Sequence, residues 1–190
     1  MTEEKTVAAP SPISLEVWVA KLPQNGMPIR FEASEADCAA LAKHMGVVAV
    51  EAMAADLVVK RWKRDGVAVD GRLTAAVVQA CVVTLDPVHE AIDEPVEFVF
   101  VPETSKLARI APTSDGELHL DPEGADIPET FRGEKIDLGT FLTELLALSL
   151  DPYPRSDGAE FTELDTDPDP TGGVVSPFAG LKRLQDGDKG

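Results

Sequence analysis

Positive charge is in short supply in this sequence: Lys and Arg total 17 against 34 Asp and Glu, for a formal net charge of −17 over 190 residues. A surface of that sign repels phosphate backbones, because nucleic-acid affinity comes largely from cations that displace condensed counterions. A DNA-binding protein is therefore not expected, and unaided RNA binding starts at a disadvantage. Basic partners would instead be attracted and steered, although the same acidity also serves solubility alone. Cysteine is limited to Cys38 and Cys81, too few and too far apart for a disulfide framework, which suits a reducing compartment. No apolar run approaches the length of a membrane span. Met1-Thr2-Glu3-Glu4-Lys5 leads into no apolar stretch, so no signal peptide is expected and the expected location is the cytoplasm. Aromatic residues make up only 5%, leaving aliphatic side chains to supply most of the packing.

Catalytic signatures are also missing. The three histidines, His44, His89 and His119, fall late in a predicted helix or in predicted turns and loops, where surface roles outweigh catalysis. There is no Gly-rich phosphate loop, no His-Glu-x-x-His and no Gly-x-Ser-x-Gly. Cys81 is followed by Val82, Val83 and Thr84, so it opens no Cys-x-x-Cys, and a lone strand cysteine is usually a small buried hydrophobe. The many carboxylates form no pair that stands out from solvated surface charge. The expectation is a protein that is not an enzyme, with no cofactor and no metal.

What is present has a clear order. Residues 1–12 form a polar leader ending at Pro10 and Pro12. Ile13, Leu15, Val17 and Val19 then alternate with polar residues, the two-residue period of a half-buried strand. Asn25-Gly26 marks a turn, and Ile29-Arg30-Phe31 a short extended return. Ser34 is a predicted helix cap with Asp37 near the positive helix end; Cys38, Leu41, Ala42 and Met45 share one face, and Gly46 is a natural stop. Extended chain follows at Val47–Met53 and Leu57–Trp62, with a two-residue hairpin loop at Asp65-Gly66. Val67, Val69, Leu73, Ala75 and Val77 lie on one parity, with Val78, Ala80 and Val82 on the other. That long strand is either covered on both faces or kinked near Gly71. After Leu85-Asp86-Pro87, the residues Val88, Ile92, Val96, Phe98 and Phe100 share a face, with Glu90 and Glu94 on the same row. Pro95 places this strand at an edge or marks a bulge.

Residues 102–135 are rich in Pro, Gly, Asp and Glu and are predicted to be a long acidic loop. Asp137 is a helix cap for the stripe Leu138, Phe141, Leu142, Leu145, Leu146 and Ser149, and Asp151-Pro152 stops that helix. The expectation is a single α+β domain over 13–154, an antiparallel β meander packed by two main helices. Residues 155–190 would be a largely disordered acidic tail, ending in a short amphipathic segment at 176–185 with Phe178, Leu181 and Leu184 on one face. That face either docks on a partner or folds back on the core.

The chain Val78-Gln79-Ala80-Cys81-Val82-Val83-Thr84-Leu85-Asp86-Pro87-Val88 resembles the central signature of the bacterial YceD family. Ile136-Asp137-Leu138-Gly139, Glu144, and the run from Leu146 to Asp151-Pro152-Tyr153-Pro154-Arg155 resemble that family's helix and exit. Ser176-Pro177-Phe178-Ala179-Gly180-Leu181-Lys182 is similar to its carboxy-terminal ending. The family-motif positions are thus Cys81, Asp86, Pro87, Asp137, Leu138, Glu144, Asp151, Pro152 and Pro154. The resemblance implies a non-enzymatic protein supporting large-subunit ribosomal RNA accumulation. Members commonly carry a Cys-x-x-Cys at the central strand. Here Thr84 stands at its second position and no cysteine follows Pro154, so a zinc site is not expected. The acidic surface then suggests a basic ribosomal protein or a large-subunit precursor particle as partner, with Phe178, Leu181 and Leu184 as candidate contacts. The alternative is direct RNA contact through Lys60, Arg61, Trp62, Lys63 and Arg64, cations interleaved with an aromatic ring. A run of this kind also protects a hairpin tip against edge pairing.

Overall fold

The computed structural model describes residues 11–108 and 128–160. The chain divides into two units, Met1–Asp157 and Gly158–Gly190, and the fold is that of the first. Its strands are β1 (Glu16–Trp18), β2 (Met27–Glu32), β3 (Ala49–Trp62), β4 (Gly66–Ala80), β5 (Pro87–Pro102), β6 (Glu129–Phe131) and β7 (Lys135–Asp137). Helix α1 spans Glu35–Met45 and α2 Leu138–Leu148, with single 3-10 turns at Val19–Lys21 and Lys106–Ala108. The expected α+β class is what is found.

A five-stranded sheet runs β2-β3-β4-β5-β6, and a separate two-stranded sheet pairs β1 with β7. The long strands follow from their two-residue period. On β4, Val67, Val69, Leu73, Ala75 and Val77 are buried; opposite them on β5 lie Phe100, Phe98, Glu94, Ile92 and Glu90. This inner face meets Cys38 and Leu41 of α1 and Leu138, Leu142 and Leu146 of α2 in one hydrophobic core. Phe141 of α2 packs edge-on against Phe100, ring centroids 4.7 Å apart, and adds Phe98 at 5.7 Å. These few rings join helix to sheet.

Helix α1 starts as its sequence dictates. The Ser34 hydroxyl accepts from Asp37 N–H while the Asp37 carboxylate accepts from Ser34 N–H, a reciprocal capping box. Asp37 lies below the usual carboxylate range because the Ser34 side chain, then its backbone, donates to it. Gly46 ends the helix in the left-handed region at φ 70°.

Several expectations need correction. The predicted strand at 13–19 shortens to β1, because Val19 enters a 3-10 turn, and it pairs with β7 rather than joining the main sheet. The extended pieces at 47–53 and 57–62 are one strand, with its irregularity between Val50 and Ala52. The hairpin after β3 pairs Trp62 with Gly66, so its loop is Lys63-Arg64-Asp65 and the left-handed residue is Lys63 at φ 50°, not the glycine. Gly66 is needed for space instead: a Cβ there would sit 2.7 Å from the Trp62 ring.

At Gly71 the register is unbroken on both sides, so there is no kink. A Cβ would lie 2.1 Å from the Asp56 carbonyl oxygen, and only glycine permits that approach of β3. Coverage on both faces applies to Gly66–Val69, all buried. Pro95 pairs with Arg72 on one side, and the only described partner on the other, β6, begins at Phe100. Among the described strands Pro95 therefore occupies an edge, which suits a residue lacking an N–H. Within the predicted loop at 102–135, the described ends carry the 3-10 turn at Lys106–Ala108, β6, and the start of β7 at Lys135. Strand β6 runs parallel to β5, so the sheet is mixed rather than a pure meander. Residues 109–127 and the segment with Phe178, Leu181 and Leu184 lie outside the described residues.

Candidate functional site

The family-motif positions, Glu144 apart, fall at two places. The first is the start of α2. The Asp137 carboxylate accepts from Gly139 N–H (2.9 Å), Leu15 N–H (2.7 Å) and the Ser14 hydroxyl (2.8 Å). It therefore caps the helix and also ties down the chain entering β1. Leu138 is buried in the core. At Gly139 a Cβ would meet the Ile13 carbonyl oxygen at 2.5 Å, so Asp137-Leu138-Gly139 is a docking point for the amino-terminal chain. Glu144 is exposed on α2 with no partner among the described residues. Asp137 and Leu138 thus hold the fold together, and among the described residues Glu144 has no such contact.

The second place is a corner where the β4–β5 turn meets the chain leaving α2. Cys81 N–H donates to the Asp86 carbonyl (2.8 Å) and Leu85 N–H to the Cys81 carbonyl (2.9 Å), closing the turn, with Leu85 left-handed at φ 65°. Pro87 then opens β5. From the other side, the buried Pro154 gives its carbonyl to Val82 N–H (2.9 Å), and the Gln79 side chain donates to the Asp151 carbonyl (3.1 Å). Asp151 also accepts from Tyr153 N–H (2.8 Å) through its carboxylate; Pro152 lies between them.

At the centre is Cys81, wholly buried. Its Sγ accepts from Val83 N–H (3.4 Å), Thr84 N–H (3.5 Å), and both the N–H (3.4 Å) and hydroxyl (3.5 Å) of Ser156. The Ser156 hydroxyl foremost, then Thr84 and the backbone amides, pull this thiol down to about 6. Thr84 and Ser156 hydroxyls also lie 3.3 Å apart. The sulfur is thus an acceptor that joins two loops, and among the described residues no three His, Cys, Asp or Glu side chains gather as a metal site. Ser156 fell in the expected tail. A serine two residues after a proline carries no local signal, so this partnership was not legible.

The same corner exposes large apolar side chains: Leu148 at 84%, Leu85 at 77%, Tyr153 at 70% and Val82 at 48%. Asp86 and Asp151 are exposed among them, and Glu90 reaches the Asp151 amide (3.4 Å). The exposed apolar side chains are thus set among carboxylates. No sequence expectation singled these four out as a surface, and the left-handed backbone at Leu85 shows only in the fold.

The basic candidates sit at the other end of β4. Lys60 is committed to Asp70 (2.7 Å). Arg61, Lys63 and Arg64 are exposed and have no ion pair among the described residues. The Lys63 ammonium lies 4.0 Å over the Trp62 ring, so this indole steadies a cation instead of offering a free stacking face. The structure thus brings together the cations but not the base-stacking platform.

Among the described residues, no helix is long and apolar enough to cross a membrane. No curated protein and no solved structure matches the chain at a significant level. The model of one family matches residues 69–185, a stretch containing both motif clusters. The chain belongs to that family, described as large ribosomal RNA subunit accumulation protein YceD.

Proposed function

We propose that this protein acts in the cytoplasm by binding, not by catalysis, supporting large-subunit ribosomal RNA accumulation by holding a basic ribosomal protein, free or on a precursor particle. The observation that carries the reading is the corner of exposed Leu85, Tyr153, Leu148 and Val82 beside Asp86 and Asp151. An apolar centre supplies affinity, while the acidic rim and the net charge of −17 select and steer a cationic partner. The buried Cys81 junction holds the two loops in register and so presents the patch as a formed surface.

The test is an affinity pull-down from the host, with and without nuclease, comparing the native protein with Leu85→Ser/Tyr153→Ser. A small basic ribosomal protein that survives nuclease and is lost in the double variant supports the reading. Capture that is indifferent to these substitutions refutes the corner as the binding face. Because both side chains are exposed, the variant should melt within about 0.5 kcal/mol of the native protein.

A further inference from the structure

We infer that the end of the sheet remote from this corner carries a second surface, for RNA phosphates, built from two islands of cations braced on tryptophan. The proposal rests on the ribosomal reading only for naming RNA as the polyanion; the surface itself is separate. In an acidic chain, a local gathering of cations without ion pairs is the feature that needs explanation.

The first island is the β3–β4 tip. Arg61, Lys63 and Arg64 project from it unpaired among the described residues, and Lys63 holds a positive φ of 50°. A non-glycine residue in that region is strained, and its side chain comes to rest across Trp62 at 4.0 Å. The second island centres on Trp18, 39% exposed. The ammonium groups of Lys21 and Lys135 lie 4.9 and 4.5 Å from its ring centroid. Lys135 also meets Glu16 at 2.6 Å, so Lys21 is its freer cation.

Strand register carries β6 to the level of the tip, and the chain runs on from there into the second island. Phe100 pairs with Val67 beside the tip, Pro102 pairs with Phe131 of β6, and Lys135 follows four residues later, beside Trp18 in β7 and β1. From β4 to β6 is two strand spacings, roughly 10 Å, and Lys135 is four residues along the chain from Phe131, so we take the two islands as parts of one surface. Acids do intrude, with Asp65 in the loop and Glu134 beside Lys135, which suits modest affinity. Both indoles are occupied by ammonium groups, so the chemistry is phosphate contact without base reading: sequence-tolerant and strongly salt-dependent. Lysines already held against a ring lose less freedom on binding than lysines at large.

The experiment is fluorescence anisotropy with a transcribed fragment of large-subunit ribosomal RNA over a salt series. It uses the native protein, Arg61→Glu/Lys63→Glu/Arg64→Glu, Lys21→Glu, and Lys43→Glu on α1 as control. The triple reversal should weaken binding at least tenfold and flatten the log–log salt slope by about 2, at roughly 0.7 per lost phosphate contact. Lys21→Glu should weaken it severalfold and Lys43→Glu should leave it unchanged. Circular dichroism melts establish that the variants fold, and Lys21→Glu repeats the test outside the hairpin. RNA binding that survives both sets of reversals, or no binding by the native protein at low salt, overturns the proposal. Equal binding to polyglutamate overturns the assignment to RNA. Leu85→Ser/Tyr153→Ser should bind RNA normally, so failure here and failure of the protein-binding corner are distinct results.

Discussion

Cys81 is a single atom's worth of chemistry placed between two loops, and its role can be measured through pH. In an unfolded chain a thiol titrates near about 8.5; here donors from Ser156 and Thr84 draw it to about 6. The folded value lies below the unfolded one. The stability these bonds lend is therefore complete above the unfolded value, shrinks as pH falls, and is gone once pH passes below the folded value. Cys38 moves the other way, since burial, and then Asp37, push its thiol up. The comparison that isolates Cys81 is therefore native protein against Cys81→Ala. The difference in denaturant midpoint between them should widen as pH is raised from the folded toward the unfolded value. A constant difference would mean that Sγ serves by packing alone. Periodicity and spacing revealed a buried strand-end cysteine and nothing of its donors, because Ser156 lies 75 residues away.

Elements were legible where one local rule decided them. The capped start of α1, its stop at Gly46 and the parity of β4 and β5 were all set by neighbouring residues. Three things were not legible. Strands β6 and β7 are three residues each, too short for a period, and exist because distant strands offer them hydrogen bonds. The identity of β1's partner was equally non-local. The chemistry at Asp137 was only half visible: a cap is a local device, whereas the grip on Leu15 and Ser14 is not. Asp137→Ala should consequently cost more than an ordinary cap. We expect about 3 kcal/mol, against about 1 kcal/mol for a cap alone. Urea unfolding, with hydrogen exchange at Leu15, would check both the size and the place of the loss. A loss confined to α2, with Leu15 still protected, would reduce Asp137 to a simple cap.

Across the whole molecule the governing quantity is charge. Ion pairs on the sheet, such as Arg72 with Asp93 and Arg30 with Asp56, are exposed and individually small. The unbalanced acids repel one another in the folded state. Moderate salt should therefore stabilise the free protein, by about 1 kcal/mol or about 3 °C in Tm, while weakening any hold on RNA. A melting temperature that falls with salt would show that the surface ion pairs outweigh the repulsion. The net acidity pointed toward basic partners, and the contiguous run Lys60–Arg64 at the β3–β4 tip was legible beside it, but the gathering of Lys21 and Lys135 about Trp18 was not. A sum over residues does not record where a fold gathers them.

The joint between Cys81 and Ser156 has a consequence for timing. Between those two residues lie β5, β6, β7 and α2, so the joint is the knot at the mouth of a long loop. Closing it early would sacrifice the freedom of everything in between; it is favoured only once the intervening strands and helix have found their places. The apolar corner exists as a surface only when that knot is tied. A partner that docks there, as proposed, meets a molecule that has finished folding, and a half-made copy offers it two loose ends.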